Sequence, residues 1–270
     1  MGGKRLRLRR FFSRGDGRLV LFPLDHGVSC GPVAGLEELH RVLSYGVRAG
    51  ADGVVLHKGM MTCLEKVSGP LPGIFMHLSA STQLGPAFHG KVLVGSVEEA
   101  LGRGADGVSV HVNLGDDAEP QMLRDLGTVG EACFRWGVPL LVMIYVRGAH
   151  APKPVTDEAV AHAARVAGEL GADLIKIPAP RDPEAMERIA RCVPVPVVMA
   201  GGAKEADEAA FLERIQTGLR AGLAGVAVGR NVFQHRDPEA FLKAIVGLVH
   251  EGLSAQEAAK PWRRNPSSSV

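Results

Sequence analysis

Short apolar runs alternate with amphipathic stretches along most of this chain. Four of the runs follow a recurring phrase, in which a helical, often Ala-rich pattern ends at a glycine and a β-branched segment follows. Glycine is typical of a helix C-terminus, and β-branched residues are typical of strands. The repeats therefore predict four strands, each with a helix before it: "AGADGVVLHKG" at 49, "GRGADGVSVHV" at 102, "ELGADLIKI" at 169 and "RAGLAGVAVGR" at 220.

The intervals between these repeats are too long for one strand–helix unit, and each contains another apolar run. These runs are "GIFMHLS" at 73, "VPLLVMIY" at 138 and "VPVVMAGG" at 195, and "RLVLFPLDHG" at 18 supplies a first strand. They do not alternate with polar residues, as expected of parallel strands covered on both faces. Eight strands predict a single-domain α/β fold, the (β/α)8 TIM barrel, with its active site at the carboxyl ends of the strands. A doubly wound open sheet is the alternative, and the strand count disfavours it.

The pattern divides the chain into a basic N-terminal arm (1–17), the barrel (18–250), and a C-terminal helix with a polar tail (251–270). The arm reads "GKRLRLRRFFSR" and is interpreted as solvated or subunit-facing, because 31 basic and 29 acidic residues leave a net charge of only +2. That balance does not indicate a nucleic-acid partner. No apolar run approaches the roughly 20 residues of a membrane span. Four scattered cysteines without a CxxC pair predict reduced thiols and a cytoplasmic protein.

Lys176 is the most unusual residue of the predicted strands, because it lies among Leu174, Ile175 and Ile177. Charged side chains are rarely buried without compensation. A buried ion pair with Asp25 is one explanation. The other is an amine whose pKa is lowered by desolvation, which can attack a carbonyl and form a Schiff base. Lys58 is a competitor for that role, but it follows His57 beside a loop glycine, a wetter setting.

Other polar residues follow the strands and are expected at the same mouth. Asp25 and His26 end the first strand, and Tyr145 ends the fifth, where a carboxylate or a phenol can relay a proton. Asp25 as a plain turn cap is an equally good interpretation. Three histidines after the second to fourth strands lack metal-ligand spacing, so hydrogen-bonded or substrate-facing imidazoles are preferred to a metal site: His57, His77 and His111.

A phosphate site is predicted after the last two strands. Gly201 and Gly202 follow the seventh strand, and Gly229 and Arg230 follow the eighth. Glycines let backbone N–H groups approach an anion, and an arginine binds phosphate through two parallel hydrogen bonds. Lys204 adds a second positive charge nearby. These loops are the usual phosphate site of a TIM barrel.

Together these features predict a class I aldolase acting on a phosphorylated ketone, with Lys176 as the electrophilic amine, Tyr145 as proton shuttle and Asp25 as the orienting or deprotonating group. Two other classes compete. One is a phosphate-binding isomerase or metal-dependent aldolase, and the other is a non-catalytic sugar-phosphate sensor. The complete set of Asp25, Tyr145 and Lys176 argues against the sensor.

The chain also resembles a known family, the archaeal-type class I aldolases (the DeoC/FbaB group), and most of all its aminoheptulosonate-forming branch. The resemblance runs in chain order from about residue 18 to 245, through "LFPLDHGVSCGP", "LHKGM", "HLSASTQLG", "KVLVGSVEEALGRGADGVSVHVNLG", "MIYVRG", "GADLIKI", "AGGAK" and "GVAVGRNVFQ".

The resemblance implies a barrel with Lys176 as the Schiff-base lysine, Tyr145 as acid/base and Asp25 at the mouth, without a metal or a separate cofactor. It implies substrate-binding residues at Gly201, Gly202, Lys204, Gly229, Arg230, His26, Lys58 and Arg147. The implied partners are a phosphorylated ketose or triose and an aldehyde. In the aminoheptulosonate branch that aldehyde is aspartate semialdehyde, on routes to aromatic amino acids. Relatives join it to dihydroxyacetone phosphate or cleave fructose 1,6-bisphosphate, and the family forms ring-like homo-oligomers, including decamers.

Two segments depart from the family pattern. The lysine is followed by "IPAPRD" where the family often has a Tyr-Thr-Gly-like segment, and Val146 replaces a proline before Arg147 and Gly148. Neither change removes a catalytic group. Both lie where an acceptor aldehyde would be recognised, so we expect them to affect the choice of acceptor.

Overall fold

The computed structural model describes residues 2–263. The barrel strands are β1 (Leu19–Pro23), β2 (Gly53–Leu56), β3 (Gly73–His77), β6 (Gly107–Leu114), β7 (Leu140–Val146), β8 (Leu174–Pro178), β9 (Val197–Ala200) and β10 (Gly225–Ala227). They close in the order β1-β10-β9-β8-β7-β6-β3-β2, with every neighbouring pair parallel. Two short strands, β4 (Ser79–Ala80) and β5 (Val92–Leu93), pair antiparallel outside the barrel. The predicted (β/α)8 barrel is confirmed.

Helices connect the strands and cover the barrel. In chain order they are α1 (Gly2–Phe11), α2 (His26–Cys30), α3 (Leu39–Ala49), α4 (Val97–Gly102), α5 (Glu119–Trp136), α6 (Asp157–Glu169), α7 (Pro183–Cys192), α8 (Glu208–Arg220), α9 (Arg230–Phe233), α10 (Pro238–His250) and α11 (Ala255–Arg263), with a 3₁₀ segment at Lys58–Lys66. Within residues 2–263, no helix is both long and apolar enough to cross a membrane.

Side chains of each strand alternate between the barrel interior and the helical layer. Leu19 and Leu21 of β1 belong to the interior cluster, whereas Val20 and Phe22 pack with the helices. Successive side chains of a strand point to opposite faces, so every second residue of all eight strands faces the interior. Both faces are apolar because both are buried, which explains why the sequence runs do not alternate.

The amino-terminal end of the barrel is closed by Phe11 at the end of α1. Its side chain is fully buried and stacks on Phe75 with ring centroids 3.9 Å apart. Glycines at the start of β2 and β3 make room for it, since a Cβ on Gly53 or Gly73 would lie 2.9 Å or 2.4 Å from the Phe11 ring. The aromatic ring therefore fills the space that the missing side chains leave.

The aspartates of the "GAD" repeats join the strands at this same end. The carboxylates of Asp52, Asp106 and Asp173 accept hydrogen bonds from the backbone N–H groups of Val20 (2.7 Å), Ile74 (2.9 Å) and Leu140 (2.9 Å) respectively. Each bond runs from one strand to the start of its neighbour. The repeated aspartate is thus a structural residue of the barrel.

The basic N-terminal segment pairs with these aspartates. Ion pairs join Arg14 to Asp52 (3.2 Å), Arg10 to Asp106 (2.7 Å) and Lys4 to Asp173 (2.8 Å). Residues 2–11 of the predicted arm form a helix that lies across the bottom of the barrel, with Phe11 buried and the residues before it exposed or half-buried. Its positive charge complements the aspartates, and Phe11 anchors it.

The C-terminal segment includes the predicted helix. α11 packs mainly against α8 and α10, with Ala255, Ala258 and Ala259 buried. The predicted polar tail, "KPWRRNPSSSV" from residue 260, begins inside α11, and its residues 264–270 lie outside the described residues.

Replacement of Phe11 by alanine should lower the free energy of unfolding by about 3–5 kcal/mol, because it empties the closed end of the barrel. Chemical denaturation measures this. Leu6→Ala on the exposed side of α1 is the matched control and should change stability little. Equal losses in both variants would show that α1 contributes through its helix alone.

Replacement of His250 by glutamine should reduce stability more at pH 6 than at pH 9. Its ring nitrogens lie 2.7 Å from Asp16 Oδ2 and 2.8 Å from Asp52 Oδ2. Burial alone would lower the pKa of His250, but the bonds to Asp52 and Asp16 raise it above 6.5. A raised pKa gives stability that is complete below the unfolded value and is lost as pH rises through the folded one.

We expect the loss at pH 6 to be about 1.5–3 kcal/mol, the range for hydrogen bonds to charged groups. Denaturation of wild type and His250→Gln at both pH values measures it, with exposed His162→Gln as control. A loss independent of pH would exclude the charged imidazole as its source.

Candidate active site

The carboxyl ends of the strands surround a cleft of about 860 Å³. A cavity of this volume accommodates a sugar phosphate together with a small aldehyde. Seven of the barrel strands contribute a residue to the wall, and β2 is represented by His57, the residue that follows it: Pro23, His57, His77, His111, Tyr145, Lys176, Ala200 and Ala227. The side chains that face inward at the carboxyl ends of the strands thus meet at a common polar mouth, as expected of this fold.

Lys176 lies in the middle of β8 and points into this cleft. It is 8% exposed and pairs in register with Met143 of β7 and Val198 of β9. Its Nζ has the Met143 sulfur at 3.8 Å, and among residues 2–263 it forms no ion pair. The buried ion pair with Asp25 that the sequence allowed is therefore absent. A buried lysine amine without a carboxylate partner is suited to attack a carbonyl carbon.

Tyr145 lies on the same face, on the strand next to Lys176. It stands two residues beyond Met143 and is 8% exposed. The guanidinium of Arg147 lies 4.1 Å from the centre of its ring, and the His111 ring lies 5.0 Å away. These contacts fix the ring, while the phenol reaches the cleft wall and can exchange a proton there.

Asp25 follows β1 and faces a group of imidazoles. His77 Nε2 lies 3.8 Å from its Oδ2, and His26 Nδ1 lies 3.9 Å from its Oδ1. Burial alone would raise the pKa of Asp25, but its interactions with His77, His26 and Lys176 outweigh burial and lower the pKa below the usual range. The group is therefore an ionised carboxylate at neutral pH.

His77 is held by a hydrogen bond between its Nδ1 and Ser109 Oγ, at 2.7 Å. Burial lowers the pKa of His77 to about 3, so its imidazole is neutral beside the ionised Asp25. His57 lies against it with ring centroids 5.1 Å apart. Within residues 2–263, no three histidine, cysteine or acidic side chains are arranged to hold a metal ion.

The predicted phosphate loops adjoin each other at the cleft edge. Gly201, Gly202, Gly229 and Arg230 all line the cleft. Gly202 has a positive φ of 74° and open space where a side chain would be, so its backbone is accessible to a ligand. A Cβ on Gly229 would lie 2.7 Å from the His26 ring. Arg230 Nε is buried without a hydrogen-bond partner, an unsatisfied donor that an anion would accept.

Asn231 joins the two loops, and the sequence reading missed it. Its buried amide donates to the carbonyls of Gly201 (2.8 Å) and Ala203 (2.9 Å), and its oxygen accepts from the Glu205 N–H at 2.8 Å. These three bonds connect the loop after β9 to the start of α9. An asparagine after "GR" carries no signal of this role in the sequence.

Two predicted binding residues lie outside the cleft. Lys58 begins the 3₁₀ segment after β2, which directs its side chain away from the cleft, and its Nζ pairs with Glu99 at 3.2 Å. Lys204 is exposed and donates to the Gln234 carbonyl. Neither lysine lines the cleft, which corrects both predictions.

Three cationic residues of the cleft wall were missed: Lys91, Arg181 and Arg214. Arg214 lines it and pairs with Glu205. Lys91 is 7% exposed and donates to Ser81 Oγ. Lys91 begins the apolar run "KVLVG", so the argument used for Lys176 could have found it.

Fold and site together define a lysine-dependent aldolase barrel. A family model described as "DeoC/LacD family aldolase" matches residues 19–235. The chain belongs to this family, and it is a class I aldolase, an enzyme that makes or breaks carbon–carbon bonds.

Curated relatives match the chain over almost its whole length. A 2-amino-4,5-dihydroxy-6-oxo-7-(phosphonooxy)heptanoate synthase of Streptomyces griseus is 42% identical over 95% of this chain and 93% of its own. A 2-amino-3,7-dideoxy-D-threo-hept-6-ulosonate synthase of Archaeoglobus fulgidus is 40% identical over 95% of both. An archaeal fructose-1,6-bisphosphate aldolase, solved with its catalytic Lys bound to a carbinolamine intermediate, has a TM-score of 0.83 at 33% identity, covering 92% of this chain and 99% of its own.

Replacement of Asn231 by alanine should raise KM for the phosphorylated donor about 10-fold or more, since the loop after β9 loses three hydrogen bonds. At saturating donor, kcat should change much less, because the reacting groups are untouched. Steady-state kinetics separate the two constants, and Gln256→Ala, at an exposed amide of α11, is the control. A fall in kcat with unchanged KM would contradict the positioning role.

Proposed function

We propose that this chain is a Schiff-base aldolase that joins a phosphorylated ketone to aspartate semialdehyde and gives a seven-carbon amino-keto acid. The single observation that carries the proposal is Lys176, a buried lysine without a carboxylate partner, in a cleft that also holds Tyr145 and an ionised Asp25. The chemistry requires a nucleophilic amine, a proton relay and an anion site. The cleft contains all three types of group.

The proposed reaction begins when Lys176 Nζ adds to the donor carbonyl carbon. The carbinolamine loses water to give an iminium ion, which withdraws electrons from the adjacent carbon. Loss of a proton from that carbon gives an enamine, and the enamine forms the new bond to the aldehyde carbon. Tyr145 moves the protons and Asp25 orients or deprotonates. Water then hydrolyses the imine and frees the lysine, so no separate cofactor takes part.

The donor phosphate is assigned to the loops after β9 and β10. Arg230 Nε has no partner among the described residues, and the glycines leave backbone N–H groups accessible. A phosphate there would satisfy the buried donor and receive charge-assisted hydrogen bonds. It would also hold the donor carbonyl close to Lys176, which lies on the neighbouring strand β8.

The acceptor assignment rests on the products named for the two synthases. Both names describe a seven-carbon amino acid with its ketone at carbon 6. Aldol cleavage breaks the bond between the α and β carbons of a ketone, here carbons 5 and 4. The fragment of carbons 1–4 is then aspartate semialdehyde in both cases. The fragments that carry the ketone differ by the phosphate at carbon 7, so the acceptor is the shared part.

Cleavage of fructose 1,6-bisphosphate is the second candidate, and the archaeal aldolase structures favour it. It uses the same lysine chemistry with a phosphorylated aldehyde in place of the amino-acid aldehyde. The proposal extends to a cytoplasmic enzyme of aromatic biosynthesis that assembles as a ring-like homo-oligomer, with the decamer as one closed arrangement. Exposed apolar residues support an interface: Phe134, Trp136 and Leu170.

Borohydride reduction in the presence of dihydroxyacetone phosphate should fix the donor covalently on Lys176, because the reagent reduces the imine. Peptide mass spectrometry locates the adduct. Lys176→Met should abolish trapping and turnover, whereas Lys58→Met, the matched control outside the cleft, should keep both. An adduct on Lys58 or Lys91 would overturn the assignment, and loss of activity with a chelator would favour a metal-dependent aldolase.

Product analysis decides between the two functions. The enzyme is supplied with dihydroxyacetone phosphate and either aspartate semialdehyde or glyceraldehyde 3-phosphate, and the products are separated by liquid chromatography with mass detection. We expect the higher kcat/KM with aspartate semialdehyde. Preference for glyceraldehyde 3-phosphate would identify the fructose-bisphosphate activity instead.

A further inference from the structure

Lys91 is a second buried lysine of the cleft, and the reaction described above does not use it. Its Nζ donates to Ser81 Oγ and lies 5.0 Å from the centre of the Phe88 ring. Ser81 in turn donates to the Phe88 carbonyl at 2.6 Å, which fixes the hydroxyl. Among residues 2–263, no acidic side chain forms an ion pair with Lys91. Asp25 is near enough to raise the pKa of Lys91 but forms no ion pair with it, so a bound anion would compensate the buried cation.

Arg147 is a second cation on the same part of the wall. Its guanidinium covers the Tyr145 ring at 4.1 Å and has no ion pair with a described residue. Burial lowers the pKa of Lys91, and the positive charge of Arg147 lowers it further, so the two groups are near enough to repel each other. A bound anion would turn this repulsion into two favourable interactions.

Lys91 lies across the mouth from the phosphate loops, whereas Arg147 follows β7, two residues beyond Tyr145. β3, the strand that leads to Lys91, is four strands from β9, so the two lie at opposite positions of the eight-stranded ring. Lys91 immediately precedes β5, which pairs with β4 just beyond β3. Lys176 and Tyr145, on β8 and β7, lie on the arc between the two sides. A substrate with an anion at each end would therefore have its middle carbons beside Lys176.

We propose that Lys91 and Arg147 form an anion site that binds the carboxylate of the acceptor aldehyde. The inference rests on the proposed function and names the residues that select the acceptor. A guanidinium binds a carboxylate through two parallel hydrogen bonds, and the Lys91 ammonium supplies a point charge beside it. Asn113, whose amide bonds the His89 carbonyl at 2.7 Å, closes the wall between strand β6 and the segment that leads to Lys91.

Lys91→Met tests the site with acceptors that differ in charge. The variant keeps the length and apolar stem of lysine and removes the charge. We expect kcat/KM for aspartate semialdehyde to fall about 10- to 100-fold, the cost of losing a hydrogen bond to a charged group. The value for a neutral acceptor, propanal, should stay within about twofold. Borohydride trapping of dihydroxyacetone phosphate on Lys176 should stay at the wild-type level.

Lys66→Met is the matched control, because Lys66 is exposed at the end of the 3₁₀ segment. Lys91→Arg should restore part of the activity with aspartate semialdehyde. Equal losses with the charged and the neutral acceptor, or no loss with either, would overturn the anion site. A loss that is larger with glyceraldehyde 3-phosphate than with aspartate semialdehyde would assign the site to a phosphate and overturn the carboxylate assignment.

Direct binding separates this inference from the proposed function. L-Homoserine has the carbon skeleton of aspartate semialdehyde with an alcohol in place of the aldehyde, so it binds without reacting. Calorimetry should give an affinity for L-homoserine about 10-fold or more weaker in Lys91→Met than in wild type. Unchanged affinity would overturn the carboxylate site even if the aldolase reaction is confirmed. If the wild-type enzyme gives no trapped adduct but its affinity for L-homoserine depends on Lys91, the proposed reaction is overturned and the anion site remains supported.

Discussion

Closure of eight parallel strands into a ring is the constraint on which the rest of this structure depends. A closed ring has an inside and an outside, and the two-residue period of a strand assigns each side chain to one of them. Lys176 and Tyr145 stand on neighbouring strands at inward positions, so they meet in the cleft without any loop to bring them together. The chemistry of the mouth is therefore fixed by the same register that forms the barrel.

The two ends of the ring serve different purposes. At the amino-terminal end, Phe11 fills the space left by glycines, and repeated aspartates bridge the strands and bind the basic helix α1. At the carboxyl end, unpartnered polar groups such as Arg230 Nε face a cleft. Buried polar groups without partners cost stability. The packing, hydrogen bonds and ion pairs at the amino-terminal end offset that cost. Polar groups at the carboxyl end can therefore remain available to a ligand.

The sequence predicted the direction of side chains inside the strands, but it did not predict the direction of several side chains in the loops. Lys176 and Tyr145 lie inside short apolar runs, so their direction follows from the strand alone. Lys58 and Lys204 lie just beyond strands, where a turn directs the side chain away from the cleft. The apolar run after Lys91 marks that lysine as unusual, but its place at the cleft depends on the pairing of β4 with β5, which the sequence pattern does not contain. The ion pairs of the basic arm were not predicted because its partners are aspartates distant in sequence.

Recognition of the acceptor must come mainly from residues outside the strand carrying Lys176. The segment after that lysine presents Pro178, Ala179 and Pro180 to the cleft, whose side chains have no hydrogen-bonding groups, and Arg181 follows them in the cleft wall. A site discriminates strongly between similar substrates only when the wrong substrate leaves polar groups of the site without a partner. Lys91 and Arg147 are cations of that kind, since no described residue forms an ion pair with them. The charge of the acceptor is therefore the property that Lys91 and Arg147 can recognise.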